Sequence, residues 1–198
     1  MELLKTSYIR EKIKSAKEIK ITKLLKIEII VTFISIILGT LLHFTYQWSN
    51  DNLLVASFSA VNESVWEHLK LIFFPMLVVG IIEYLWGKKI ANNYIEAKAI
   101  GIFIAICFTV ISFFTYTGII GTNAFIIDIL IFIVSIVLGE YISYKLMKRK
   151  SESNIKTLIL SSFIIWFLFS CFVLCTYFPP KVNLFRDPIT GFYGINNK

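Results

Sequence analysis

The 198-residue chain has two histidines, His43 and His68. His68 lies in the string Asn62-Glu63-Ser64-Val65-Trp66-Glu67-His68-Leu69-Lys70, where two carboxylates, an imidazole, an ammonium, an amide and an indole fall within nine residues. Two neutral imidazoles and a carboxylate form a ligand set for zinc or another divalent metal, with a coordination position left for water. On spacing alone that set is His43, His68 and Glu67. A histidine pair on neighbouring helices also suits a bis-histidine haem, the second choice of cofactor. In acid–base chemistry, His68 or Glu67 is the general base, with His43 and Glu63 as catalytic partners. Part of the string has a purely local explanation. Ser64-Val65-Trp66-Glu67 fits a capping box, and Glu67 and Lys70 at i,i+3 are placed to pair. Ser64 stands where the inverted zincin pattern needs its first histidine, so no protease motif is complete.

These groups must be held by very apolar surroundings. Hydrophobic residues make up 57% of the chain and charged residues 17%, at a mean hydropathy of +0.74, more apolar surface than one small soluble core hides. Five runs, 24–46, 64–86, 99–118, 124–146 and 157–178, approach the ~20 residues that cross a bilayer as helix. The expected fold is all-α, a polytopic transmembrane bundle of five spans. Eight Lys and Arg lie before or at the start of the first span (the last is Lys26), three (Lys88, Lys89, Lys98) separate the second and third, and five lie from the end of the fourth to the start of the fifth (Lys145, Lys148, Arg149, Lys150, Lys156). The alternate loops, 47–63 and 119–123, carry none. By the positive-inside rule the N-terminus is cytoplasmic and the C-terminus extracytoplasmic, which requires an odd number of spans. The net charge of +7 is thereby explained without a nucleic-acid partner. Residues 1–23 place Leu4, Tyr8, Ile9, Ile13, Ala16 and Ile19 on one stripe, the pattern of a basic amphipathic helix lying on the inner leaflet. Cys107, Cys171 and Cys175 sit within apolar runs and read as small packing residues. Domain limits follow: an interfacial helix at 1–23, a membrane domain at 24–178 and an extracytoplasmic tail at 179–198.

Counting back from Lys88, a full second span must draw in Lys70, His68 and Glu67, which places charge at membrane depth. Such groups face a bundle interior or a wet cavity and are functional by default. A pocket at the outer face would add Asn62, Trp66, Lys70 and Asp128 as substrate-binding groups. The tail, with Pro179-Pro180, Asp187-Pro188 and the aromatic residues Phe185, Phe192 and Tyr193, is expected to fold over the outer mouth. Arg186 would then meet Glu63, Glu67 or Asp128, or clamp an anionic group, with Tyr193 beside it. At the inner end, Glu28, Glu83 and Glu140 read as snorkelling side chains or simple ion pairs with nearby lysines.

The Asn-Glu-Ser-x-Trp-Glu-His-x-Lys string, with His43 before it and Arg186-Asp187-Pro188-Ile189-Thr190-Gly191-Phe192-Tyr193-Gly194 after it, resembles a family of small multi-pass bacterial membrane proteins of unknown function. The resemblance implies no activity. The Ile- and Lys-rich composition is similar to that of low-GC Gram-positive bacteria and points to the plasma membrane. Three functions fit the residues: a membrane-embedded hydrolase or transferase for lipid or envelope substrates, a small transporter or substrate-binding subunit, and a non-catalytic accessory subunit. The partners expected are the lipid bilayer and a lipid or small-solute ligand.

Overall fold

Each apolar run folds as one helix, because backbone polar groups away from water must be satisfied within their own segment. The computed structural model describes residues 2–86, 91–149 and 153–195. Its elements are α1 (Glu2–Trp48), the short α2 (Leu53–Ala56), α3 (Val65–Trp86), α4 (Tyr94–Ile120), α5 (Phe125–Lys148), α6 (Ile155–Tyr177) and a 3-10 turn (Asn183–Phe185). Five helices are long and apolar enough to cross a membrane: Ile21–Trp48 within α1, Val65–Leu85 within α3, and α4, α5 and α6 entire. The chain carries no strand among the described residues. The basic N-terminal segment and the first span form one uninterrupted helix. Side chains of Leu4, Tyr8, Ile9, Ile13 and Ala16, which would form the amphipathic stripe, lie outside the described ones, as do residues Lys88 and Lys89. Ile19 is exposed.

Of the five candidate spans α3 is the most enclosed, with 61% of its apolar window buried, and α6 the least, with 11%. It packs chiefly against α1 and α4, and α4 packs most extensively against α5. The core forms where Leu69, Ile72, Phe73 and Met76 of α3 meet Ile102 and Ala105 of α4, Ile136 of α5 and Phe172 of α6. Small residues allow the α4–α5 approach. A Cβ on Gly139 would lie 2.7 Å from the Gly101 carbonyl oxygen, and Thr109 donates to the Ser135 hydroxyl at 2.7 Å across the same seam. The three cysteines are free thiols.

The α1–α3 contact is built around Pro75. Proline has no N–H, so the Leu71 carbonyl four residues earlier loses its helical donor. Gly39 of α1 covers that carbonyl so closely that an added Cβ would overlap the Leu71 oxygen. Gly39 is one turn before His43, so the same contact sets where His43 meets α3. Gly39→Ala is expected to cost about 1–3 kcal/mol through overpacking, read as a lower thermal unfolding midpoint in detergent.

One boundary differs informatively from the sequence expectation. α4 begins at Tyr94, five residues before the expected 99, and takes in Lys98, which is buried in the bundle and is not a loop charge. The reason is that three carboxylates meet its ammonium. Glu28, Glu83 and Glu140 are themselves buried, which corrects their reading as snorkelling side chains; the ion pairs they form are with the buried Lys98.

Candidate metal centre

The last turns of α1, the 57–64 loop and the first turn of α3 converge at one end of the bundle. Ser59 pins the loop to α1 by accepting from the Tyr46 N–H at 3.0 Å and donating to the Leu42 carbonyl at 2.6 Å, the two ends of one helical hydrogen bond. Tyr177, at the end of α6, donates to the Leu53 carbonyl at 2.6 Å and lies 2.8 Å from the Ser57 hydroxyl. Asn62 then accepts from the Ser64 N–H at 2.9 Å and donates to the Gly194 carbonyl at 2.9 Å, joining the start of α3 to the tail. The capping box is half formed: Ser64 accepts from the Glu67 N–H at 3.4 Å, but Glu67 reaches Val61 N–H instead of Ser64.

This scaffold sets His43, Glu63 and His68 around one point. Their ligating atoms lie within 4.8 Å of one another. Glu63 Oε2 is 3.4 Å from His68 Nε2 and 3.7 Å from His43 Nε2, and the two rings are 5.1 Å apart between centroids in an edge arrangement. His68 Nδ1 is 2.9 Å from the Ser64 carbonyl oxygen. A carbonyl only accepts, so Nδ1 carries the hydrogen, and in the neutral ring Nε2 presents a lone pair toward Glu63. With the His68 Nε2 lone pair toward Glu63, the anionic oxygen is matched either by a hydrogen on His43 Nε2 or by a cation among the three groups. Charge-assisted hydrogen bonds are normally ~2.7–2.9 Å. The two gaps here are wider, and they are close to the ~3.3 Å that separates donors on a tetrahedral ion with ~2.0–2.1 Å bonds. A hydrogen bond from the His43 ring holds the Glu63 carboxyl below the usual carboxylate range against the opposing effect of burial. The side chains retain 30% (His43), 37% (His68) and 41% (Glu63) exposure, enough for a water or small ligand to enter.

Glu67, placed with the histidines by sequence spacing, faces the protein interior. Lys70 Nζ meets its Oε2 at 2.5 Å and also donates to the Ala56 carbonyl at 2.8 Å and the Thr176 hydroxyl at 2.9 Å. Val61 N–H donates to Glu67 Oε2 at 3.1 Å, and Thr176 to Oε1 at 3.2 Å. All three Lys70 donors and both Glu67 oxygens are engaged, so neither residue is free to act as ligand, base or substrate contact. Sequence reasoning missed Thr176, a single hydroxyl in an apolar run, because nothing in α6 alone shows what it faces.

The other expected pocket groups are engaged elsewhere. Trp66 packs between Phe172 and Phe185 with tilted rings, at centroid distances of 4.8 and 4.6 Å, and holds the tail against α3. Asp128 is bonded to Tyr116 and, at 3.3 Å, to Asn123 at the α4–α5 turn. Arg186 is exposed, forms no ion pair with Glu63, Glu67 or Asp128, and bridges through its backbone to Tyr193 around the Asp187 turn. Tyr193 is half-buried in that bridge.

Neither the comparison with curated proteins nor that with solved structures finds a match. The model of a family of unknown function, DUF6512, matches residues 13–195. A match over nearly the whole chain shows that the protein belongs to this family.

Proposed function

We propose that this is a multi-pass plasma-membrane protein of bacteria that binds a divalent metal, zinc by preference, through His43, Glu63 and His68 at its extracytoplasmic end. The observation that carries the reading is the convergence of the three donor atoms, with the His68 tautomer fixed by Ser64. The placement of that end outside rests on the Lys and Arg asymmetry of the loops. Three protein ligands leave a position for water, and a metal there would lower the pKa of that water and polarise a carbonyl or phosphoryl oxygen. The activity that suits such a centre at a membrane surface is hydrolysis of, or transfer to, a lipid or envelope substrate. Glu67 is committed to Lys70 and Thr176, so His43, Glu63 and His68 would hold the metal, and a metal held there would supply the activation of a water nucleophile. Haem fits poorly, since rings 5.1 Å apart with Glu63 against both Nε2 atoms leave no plane for a macrocycle between them.

A small transporter is the second reading, favoured by the buried Lys98 cluster at the opposite end of the same spans. The first reading is tested by metal analysis of detergent-purified protein after zinc loading and dialysis. Wild type is expected to retain about one equivalent, with affinity falling at least ~100-fold in His43→Ala, His68→Ala and Glu63→Gln. Glu67→Gln is expected to bind as wild type does if it folds. Equal retention by wild type and the His43 and His68 variants would refute the site.

A further inference from the structure

The end of the bundle away from the histidines holds a second concentration of charge. Lys98 Nζ, from α4, lies 2.9 Å from Glu28 Oε2 of α1, 2.9 Å from Glu83 Oε2 of α3 and 2.8 Å from Glu140 Oε2 of α5. Glu28 Oε1 is a further 3.1 Å contact. The ammonium donates to both Glu28 oxygens and to Glu140 Oε2, with Glu83 Oε2 at ion-pair distance. The cluster thus brings three carboxylates to one cation, and every member is buried. Taken as fully ionised, it would leave two unmatched negative charges inside the span region, a state too costly to persist there.

Counting hydrogens locates a missing positive charge. Tyr94 Oη is 2.8 Å from the Gly80 carbonyl oxygen and 2.7 Å from Glu83 Oε2. A phenol has one hydrogen, and both neighbours are acceptors when Glu83 is ionised. If Tyr94 donates to Gly80, the short contact with Glu83 needs a hydrogen supplied by Glu83. The remaining oxygen supports the same assignment: Glu83 Oε1 is buried without any partner, a severe cost for an ionised carboxylate and a smaller one for a neutral acid. Glu140 Oε1 is likewise buried and unpartnered, in a side chain 1% exposed.

We propose that Glu83 binds an exchangeable proton at the centre of this cluster, donating it to Tyr94 while Tyr94 donates to the Gly80 carbonyl. Glu83 does not itself line the cavity of about 230 Å³ between α1 and α5; its carboxylate neighbours Glu28 and Glu140 do, together with Thr32, Tyr141 and Tyr144. The groups facing Glu83 are Glu28 from α1, Tyr94 and Lys98 from α4 and Glu140 from α5. Beyond them, Tyr84 packs on the Tyr94 ring and Lys148 lies over the Tyr144 ring. A proton held in a cluster drawn from four different helices is suited to coupling protonation to helix rearrangement. The site is independent of the metal centre, and its test does not involve metal.

The test is infrared spectroscopy of the full-length protein in lipid nanodiscs near neutral pH. A protonated-carboxyl C=O stretch is expected, shifting in D₂O and absent in Glu83→Gln, with amide bands unchanged. Because glutamine is the neutral isostere of a protonated glutamate, Glu83→Gln is also expected to leave the thermal midpoint within a few degrees of wild type. Should that variant fail to fold, the wild-type spectrum in H₂O and D₂O still decides whether a protonated carboxyl exists. Absence of the band in wild type, its survival in Glu83→Gln, or stabilisation by Na⁺ over choline that Glu83→Gln abolishes, would overturn the proposal, the last by making sodium the missing cation.

Discussion

Lys98→Met is expected to be the most damaging single substitution in the bundle, costing ~5 kcal/mol or preventing assembly, because it strands Glu28, Glu83 and Glu140 in a buried site without their shared cation. The four groups of the cluster come from four helices, so the loss loosens α1, α3, α4 and α5 together. Thermal unfolding in a mild detergent, with expression yield as a second readout, measures it. The variant Lys98→Met with Glu28→Gln and Glu140→Gln is expected to recover most of the lost stability, because the uncompensated charges leave with the lysine. An unfolding midpoint for Lys98→Met equal to that of wild type would show that the carboxylates have another source of neutralisation.

The second large effect belongs to Lys70. Its side chain is fully buried and ties α3 to the α2 turn and to α6 through Glu67, the Ala56 carbonyl and Thr176. Lys70→Met is expected to cost about 3–5 kcal/mol, the range for removing one partner of a buried pair. Glu67→Leu combined with Lys70→Met should cost less than Lys70→Met alone, since both charges are removed and the surroundings are apolar. Comparison of the two variants by chemical or thermal unfolding separates a pair held for architecture from one held for chemistry. If the double variant is folded and still binds metal, the pair is structural.

The five helices were legible because runs of ~20 apolar residues have few alternatives in a chain this hydrophobic. The charged residues were harder, and Lys98 shows why. Read in isolation, a lysine at the edge of an apolar run belongs to a loop. It becomes a helix residue only when three carboxylates from other helices neutralise it, and no local pattern records their convergence. Glu63 and Glu67 were confused for a related reason. Glu67 adjoins His68 in sequence, but neighbours on a helix point about 100° apart, and this rotation sends Glu67 inward to Lys70. Glu63 lies before the first turn of α3, where no helical periodicity fixes its direction. Its position is set by the Ser59 and Asn62 contacts of the loop. The meeting of His43 and His68 was expected from their similar depth. Gly39 fitting over the carbonyl that Pro75 leaves without a donor, which brings the helices together at that level, was not visible without the packing.

Zinc K-edge X-ray absorption on the zinc-loaded protein tests the metal centre most directly, since it counts the ligands and identifies their elements. The account predicts nitrogen and oxygen neighbours at ~2.0–2.2 Å, with the multiple-scattering signature of two imidazoles, reduced to one in His43→Ala. A first shell containing sulfur at ~2.3 Å, or one without imidazole scattering, would contradict it and place any bound zinc away from His43, Glu63 and His68.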